Sequence, residues 1–131
     1  MTIAYEWRGD LDNDSLDALH ADGFGDPVTR TDWRARLERH SLDWVCAREN
    51  GDLVGFVNVV RDGGAHAFLL DTVVARRRRG RGIGTELVAI AARQARAAKC
   101  AWLHVDFEGP LRSFYLSACG FRETAAGLIA L

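Results

Sequence analysis

The sequence predicts an α/β fold of the α+β type, in which helices cover a mixed sheet of six strands. Three observations predict it: six strand-like apolar runs, an asparagine–glycine turn between two of them, and a glycine-rich turn that opens a long helix between the two most apolar runs. A chain of 131 residues with 48% apolar and 27% charged residues fits one domain, and we expect it to span residues 1–131.

The predicted strands are short runs of alternating or continuous apolar residues. Asn50 and Gly51 form a dipeptide that accepts positive φ at both turn positions, so the runs on either side are predicted to pair as an antiparallel hairpin. Asp62 and the two glycines after it mark the next reversal. In chain order the predicted strands are Thr2–Trp7, Trp44–Glu49, Leu53–Val60, Ala65–Ala75, Cys100–Phe107 and Gly127–Leu131.

Four helices are predicted between these strands. The third begins at Gly84 and carries Leu87, Ile90 and Ala91 along one face. Because it joins two apolar strands, the pattern predicts a βαβ unit with parallel strands and a right-handed crossover. Thr29 or Thr31 is expected to cap the second helix. The predicted helices are Asn13–His20, Thr31–His40, Gly84–Lys99 and Leu111–Ala118, the last bounded by Pro110 and Gly120.

Composition excludes several classes of protein. No apolar run approaches the ~18 residues that span a bilayer, and the N-terminus lacks the basic and apolar regions of a signal peptide. We therefore expect a cytoplasmic protein without a membrane partner. The three cysteines are scattered, with no C-x-x-C pair and no histidine at metal-ligand spacing, so we expect buried thiols and no metal site.

The charge is distributed unevenly, although the net charge is only −1. Residues 1–26 carry seven acids and one base, whereas residues 71–99 carry eight bases and two acids. Within the basic stretch, Gly80, Gly82 and Gly84 alternate at the start of the third helix, where unpaired N–H groups and the positive end of the helix dipole favour an anion. The five arginines among residues 76–81 indicate a polyvalent anion such as a pyrophosphate.

Three other kinds of site could use such a turn. A solvated loop or nucleic-acid patch explains the arginines of Arg76–Arg81 but gives the glycines no role. A dinucleotide-binding turn would use Asp106 for the ribose, yet Thr85 stands where the third glycine belongs and only 25 residues follow Asp106. A Walker loop is excluded because no Gly-Lys-Ser/Thr is present.

Two motifs carry a resemblance to a known family. Arg79–Gly84, with the sequence RGRGIG, resembles the R/Q-x-x-G-x-G/A signature of the GNAT superfamily of N-acetyltransferases, and Phe114–Phe121 is similar to its F-Y-x-x-x-G-F segment. The resemblance covers nearly the whole chain and is strongest to small bacterial members. It implies a mixed, mostly antiparallel sheet of six to seven strands, a central parallel pair that splays apart, and about four helices.

The resemblance also implies how acetyl-CoA binds. Its pyrophosphate would lie on the N–H groups of the glycine turn, and its pantetheine arm would pair with the strand before that turn. Tyr115 matches the tyrosine that protonates the leaving thiolate in many members, whereas Glu108 stands where many have asparagine. The cofactor-binding residues implied are Val73, Val74, Arg79, Gly80, Arg81, Gly82, Ile83, Gly84 and Thr85.

The base and the acceptor are less defined by the sequence. An amine with a pKa near ~10.4 must lose a proton before it attacks a thioester, and Asp71, His104 and Asp106 are the candidate bases. The resemblance places the acceptor beside the first two helices, where Phe24 and Trp33 accompany acidic residues. This acidity favours a small cationic amine.

We therefore expect an enzyme that transfers acetyl from acetyl-CoA to a primary amine, by direct attack in a ternary complex. The acceptor is a small molecule or a peptide N-terminus, and a homodimer is compatible with the family. Two alternatives stay open: an acyl-CoA-binding module without turnover, and nucleic-acid binding through Arg76–Arg81, which would weaken steeply with salt.

Overall fold

A five-stranded mixed sheet forms the centre of the computed structural model, which describes residues 2–131. The strands are β1 (Ala4–Trp7), β2 (Ser41–Glu49), β3 (Asp52–Arg61), β4 (His66–Val74) and β5 (Trp102–His104). The helices are α1 (Asn13–Phe24), α2 (Trp33–His40), α3 (Ile83–Ala97) and a short π-helix (Phe114–Ala118), with 3-10 turns at Arg76–Arg78 and Gly109–Leu111. No helix within residues 2–131 is long and apolar enough to cross a bilayer.

The sheet runs β1-β2-β3-β4-β5 in space, with antiparallel pairing from β1 to β4 and a parallel β4–β5 pair. The predicted hairpin is confirmed between β2 and β3, where Asn50 and Gly51 both have positive φ. The predicted βαβ unit is confirmed as well, because α3 joins the parallel strands β4 and β5.

The prediction of six to seven strands is wrong, because the described residues form five. Gly127–Leu131 is not a strand, and Leu128 and Ile129 are 83% and 86% exposed. Apolar residues form a strand only where a neighbour offers backbone hydrogen bonds and a face to cover, and this segment pairs with none. Because no further strand of the described residues pairs with β5, the parallel pair lies at one edge of the sheet and not at its centre.

The two sheet faces carry different helices. Phe56 on β3 packs against Trp33 of α2, with ring centroids 6.3 Å apart. Its neighbour Gly55 faces Leu87 and Ile83 of α3, whose side chains would lie 3.0 and 3.1 Å from an added Cβ. Because successive strand residues point to opposite faces, α2 and α3 cover opposite sides. The core therefore has two layers, one on each side of β3.

The helix ends follow local chemistry. Asp12 caps α1 by accepting a hydrogen bond from the Ser15 N–H at 2.8 Å. The helix runs four residues beyond the predicted end and stops at Gly25, which has a left-handed backbone. Asp32 caps α2, accepting from the Ala35 N–H at 3.2 Å, so neither threonine that we expected has this role.

A β-bulge interrupts β4 next to the site described below. Phe56 pairs with Val73 and Asn58 with Leu70, so two residues of β4 lie opposite Val57. The first of the two is Asp71, whose φ of +54° is left-handed, a conformation that aspartate tolerates better than most residues. The parallel pairing of β4 with β5 has already ended at Phe68. Beyond that point the two strands diverge, and β4 has a free edge.

Candidate functional site

A cleft of about 490 Å³ lies where α1, β4, α3 and the π-helix meet. One wall is the bulged end of β4, and the floor is the glycine turn that leads into α3. The end of α1 and the π-helix close the other sides. The lining residues are Gly23, Phe24, Thr72, Val73, Val74, Arg78, Arg79, Gly80, Gly82, Ile83, Gly84, Thr85, Leu111, Phe114 and Tyr115.

The first amide groups of α3 have no partner within the helix. The helix begins at Ile83. Gly82, which precedes it, has a φ of +81° and no side chain that could cap the helix. The first helical hydrogen bond runs from the Glu86 N–H to the Gly82 carbonyl at 3.1 Å. The N–H groups of Ile83, Gly84 and Thr85 therefore precede the helical ladder. Together with the positive end of the helix dipole, they form an anion site inside the cleft.

Gly84 permits the close approach of the π-helix. A Cβ added to Gly84 would lie 3.1 Å from Cζ of Phe114 and 3.6 Å from Cγ2 of Val74. Any larger residue would push Phe114 away from the turn. The glycine thus lets an aromatic wall stand directly over the amide groups.

Two arginines bind the glycine turn to the end of α1. The Arg76 N–H donates to Oδ2 of Asp22 at 2.9 Å, and its Nε donates to the Asp22 carbonyl at 2.7 Å. The Arg79 Nη2 donates to the Gly23 carbonyl at 2.6 Å. These bonds hold the turn against α1 and fix the width of the cleft.

A third arginine bonds to the β2–β3 hairpin. Arg78 donates from Nε to Oε1 of Glu49 at 2.8 Å and makes a second, shorter contact through Nη2. Hydrogen bonds from Arg78 lower the pKa of the Glu49 carboxyl, against the effect of partial desolvation. The β2–β3 hairpin therefore holds Arg78, as the end of α1 holds Arg76 and Arg79.

Tyr115 places a hydroxyl group in the cleft. The residue is 6% exposed, and its ring lies 5.2 Å from Phe107 and 4.8 Å from Phe114. Burial raises the pKa of Tyr115, while a hydrogen bond with the Thr72 side chain opposes this rise. The phenol is therefore protonated at neutral pH and can act as a proton donor. Thr72, on the bulge, connects it to β4.

Most residues implied for cofactor binding line this cleft, with Phe24 and Tyr115 beside them; the exception is Arg81, which lies in the same turn outside the wall. Asp71 lies next to Thr72, on the bulge. Trp33 is 2% exposed in the core and touches the site only through neighbouring rings. The His104 ring stacks on Phe68 at 4.7 Å, outside the cleft.

The roles of these residues stay predictions. His104 also lies 2.7 Å, Nε2 to Nδ1, from His66. Asp106 is exposed two residues beyond β5.

Besides Arg78, which the sequence analysis placed only in the arginine run, sequence reasoning missed four of the lining residues. Gly23, Thr72, Leu111 and Phe114 reach the cleft through contacts between elements distant in the chain. Gly23 shows this most clearly, since a Cβ there would lie 2.0 Å from Cγ2 of Val73, fifty residues away. Of these four residues, Phe114 alone had a signal in the sequence, because it stands beside Tyr115 in the segment similar to F-Y-x-x-x-G-F.

Two of the three thiols, those of Cys46 and Cys119, are held protonated at neutral pH. Burial raises the pKa of Cys46 to about 12 and that of Cys119 to about 11. All three cysteines are free; Cys46 is buried as expected, whereas Cys100 and Cys119 are only half-buried. No group of three histidine, cysteine or acidic residues within residues 2–131 is placed to hold a metal ion.

Comparison with known proteins identifies relatives. The sequence model of the acetyltransferase (GNAT) family matches residues 9–121. Mycothiol acetyltransferase of Nocardia farcinica is 33% identical over 112 residues, which are 79% of this chain and 37% of that protein. The chain thus spans little more than a third of the length of this curated relative.

Solved structures share the fold over nearly the full chain. An acetyltransferase of Trypanosoma brucei superposes with a TM-score of 0.82 at 19% identity, covering 98% of this chain and 99% of that one. A GNAT family protein of Streptococcus pneumoniae TIGR4 gives 0.80 at 20% identity, covering 99% and 98%. Glucosamine-6-phosphate N-acetyltransferase of Arabidopsis thaliana gives 0.77 at 18% identity, covering 98% of both chains. At these identities the similarity shows the fold alone.

Proposed function

The chain belongs to the acetyltransferase (GNAT) family, and from this premise we propose that it transfers an acetyl group from acetyl-CoA to a primary amine. The amine belongs to a small molecule or a peptide N-terminus and attacks the thioester directly while both substrates are bound. One observation carries the proposal: the unpaired amide groups that open α3 and the hydroxyl of Tyr115 share one cleft.

In this proposal the turn holds the diphosphate of acetyl-CoA. The N–H groups of Ile83, Gly84 and Thr85 point at the anion, and the helix dipole adds a favourable field. Recognition is by backbone, since Arg76, Arg78 and Arg79 are engaged in bracing the turn. Their charges still raise the local positive potential.

The pantetheine arm follows β4 away from the turn. Past Phe68 this strand has no strand neighbour on the β5 side among the described residues, so the arm is proposed to pair along that edge at Val73 and Val74. The Val74 carbonyl also accepts a 3.4 Å hydrogen bond from Nε of Arg79. A strand rises about 3.3 Å per residue, so the way from Val74 to Asp71 covers about 10 Å. The thioester end of the arm then lies beside Thr72 and Tyr115.

Two groups would serve the chemistry at that end. Tyr115 donates its hydroxyl proton to the sulfur as the C–S bond breaks. Asp71 is the candidate nearest to the cleft wall for removal of the amine proton, directly or indirectly, because its neighbour Thr72 lines the wall. His104 and Asp106 remain further candidates at the diverging end of β5.

The acceptor is proposed to enter between α1 and the bulge, past Phe24. Phe24 is 46% exposed and offers an apolar contact. Asp26 follows it in the chain, and the carboxylate of Asp71 lies on the same side, so a cationic amine is favoured. Trp33, which is buried, supports this wall from behind through its contact with the His20 ring at 5.1 Å.

Thiol release from acetyl-CoA tests the proposal. The amines are a polyamine, glucosamine, glucosamine-6-phosphate and a short peptide with a free N-terminus. We expect amine-dependent release, fastest with the polyamine. Gly82→Val should abolish release, because φ is +81° there and a branched side chain would cover the amides. Gly127→Ala is the control, since a Cβ there meets nothing within 4 Å.

Other outcomes identify the alternatives. Binding of acetyl-CoA without release from any amine would indicate an acyl-CoA-binding module. Salt-sensitive nucleic-acid binding with no response to acetyl-CoA would contradict the proposal. The engagement of Arg76, Arg78 and Arg79 by protein groups argues against that second result.

A further inference from the structure

A histidine and an aspartate join α1 to the bulge of β4. Nε2 of His20 lies 3.2 Å from Oδ1 of Asp71, and both side chains are one-quarter exposed. The His20 ring is held on two sides, 4.5 Å from the Phe24 ring and 5.1 Å from the Trp33 ring. The pair is thus fixed in orientation while it stays accessible to solvent.

The pair adjoins the end of the cleft where the thioester is proposed to lie. Phe24, one turn after His20, lines the cleft, and so does Thr72, the neighbour of Asp71. Thr72 also hydrogen-bonds Tyr115. A substrate amine at this end would have the tyrosine on one side and the histidine–aspartate pair on the other.

The hydrogen bond determines which nitrogen of the ring is free. An ionised carboxylate only accepts hydrogen bonds, so Nε2 must carry a proton to bond with Asp71. In a neutral imidazole the other nitrogen, Nδ1, then has an unshared pair. We propose that Nδ1 of His20 is the proton acceptor for the substrate amine and that Asp71 positions the ring, an inference that rests on the proposed acetyl transfer.

The proton movements balance as follows. His20 takes one proton from the ammonium form of the substrate and passes it to solvent. The neutral nitrogen then bonds to the thioester carbon, the C–S bond breaks, and Tyr115 gives its proton to the sulfur. The nitrogen releases its second proton through water to the Tyr115 oxygen, which restores the phenol. The products are an amide, a thiol and one proton in solution.

Three charged groups lie on the elements packed around the ring. Asp71 faces it from β4. Asp17, one turn earlier on α1, is engaged by the Thr29 hydroxyl and the Arg30 N–H. The Arg36 guanidinium, from α2, lies 4.8 Å from the centroid of Trp33, on which His20 packs. Asp71 is the one in direct contact with the ring.

The variant His20→Gln separates a chemical from a structural role. Its amide nitrogen still donates towards Asp71, but it has no basic nitrogen. We expect kcat/KM with the fastest amine of the panel to fall about 100-fold, with an unchanged thermal shift by acetyl-CoA. His40→Gln, exposed at the end of α2, is the matched control and should match the wild type.

Asp71→Asn tests the positioning role. Asparagine tolerates the left-handed backbone at this position, but an amide can donate as well as accept, so it no longer fixes the proton on Nε2. In this variant kcat/KM should fall, the thermal shift by acetyl-CoA should be unchanged, and the ring should lose its preference for the Nε2 proton. Nitrogen NMR of the wild-type ring should show a protonated Nε2 and an unprotonated Nδ1, a readout independent of turnover.

Each contrary result has a definite meaning. If His20→Gln keeps the wild-type kcat/KM, the pair only links α1 to β4, and the proposal is overturned while acetyl transfer stands. The opposite tautomer in the NMR spectrum would overturn it too. If the wild type releases no thiol with any amine, the inference fails together with the proposed function.

Discussion

Tyr115 is the residue on which the chemical step of the proposal depends. Replacing it by phenylalanine keeps the ring contacts with Phe107 and Phe114 but removes the hydroxyl. We expect kcat to fall about 100-fold or more and the thermal shift by acetyl-CoA to persist. Initial rates of thiol release measure the change in kcat, and melting curves with and without acetyl-CoA measure the thermal shift.

The pH dependence adds a second test of this residue. Because burial raises the pKa of Tyr115, the phenol stays protonated through neutrality, and activity that depends on it should decline only above about pH 10. Tyr5→Phe, on β1, is the control. Equal kcat values in the wild type and in Tyr115→Phe would mean that Tyr115 is only a core aromatic.

Asp17 shows a buried carboxylate in a structural role. Burial alone would raise the pKa of Asp17, but hydrogen bonds from the Arg30 N–H and from the Thr29 and Trp33 side chains lower it overall. A lowered folded pKa contributes stability above the unfolded value, and this contribution is lost as the pH falls through the folded one. The carboxylate therefore holds the loop before α2 in place at neutral pH.

The change Asp17→Asn should remove this contribution. An asparagine must present a donor to the Arg30 N–H or to one of the two side chains, so the variant is less stable at neutral pH. Its urea midpoint should also fall less steeply than that of the wild type between about pH 5 and pH 2. Asp14→Asn, exposed on the same helix, is the control. Parallel pH profiles for wild type and Asp17→Asn would contradict this role.

At the scale of elements, local signals predicted what local chemistry decides. The Asn50-Gly51 hairpin, the glycine-opened α3 and the βαβ unit follow from turn geometry and periodicity, and all are confirmed. The bulge at Asp71 has no local signal, because it depends on how β4 aligns with β3. The same limit explains why the contacts of Gly23 with Val73 and of His20 with Asp71 were not foreseen.

The segment Gly127–Leu131 provides the counterexample. Its apolar residues suit a strand, yet the segment is exposed and unpaired. Deleting residues 125–131 should therefore change the free energy of unfolding by no more than about 0.5 kcal/mol and leave acetyl-CoA binding intact. The salt bridge between Arg112 and Glu123 stays in the shortened chain. A large loss of stability by urea unfolding would mean that this segment packs on the sheet in solution.

At the scale of the molecule, the unevenly distributed charges of the sequence contact one another within the protein. The acidic N-terminal part and the arginine-rich turn meet through Asp22 and Arg76, and Arg78 meets Glu49 on the hairpin. The sequence shows the two charged regions but not their contact, which the fold creates. Arg76, Arg78 and Arg79 hold the turn in place, and in the proposed function the backbone N–H groups of α3 bind the anion.

The central claim is that the amide groups at the start of α3 bind the diphosphate of acetyl-CoA. Melting curves with acetyl-CoA and with S-acetylpantetheine, which has the thioester arm but no diphosphate, test it most directly. Acetyl-CoA at about 100 times its Kd should stabilise the protein by about 2.7 kcal/mol, and S-acetylpantetheine at the same concentration should have little effect. Equal shifts from the two compounds, or no shift from acetyl-CoA, would contradict the account.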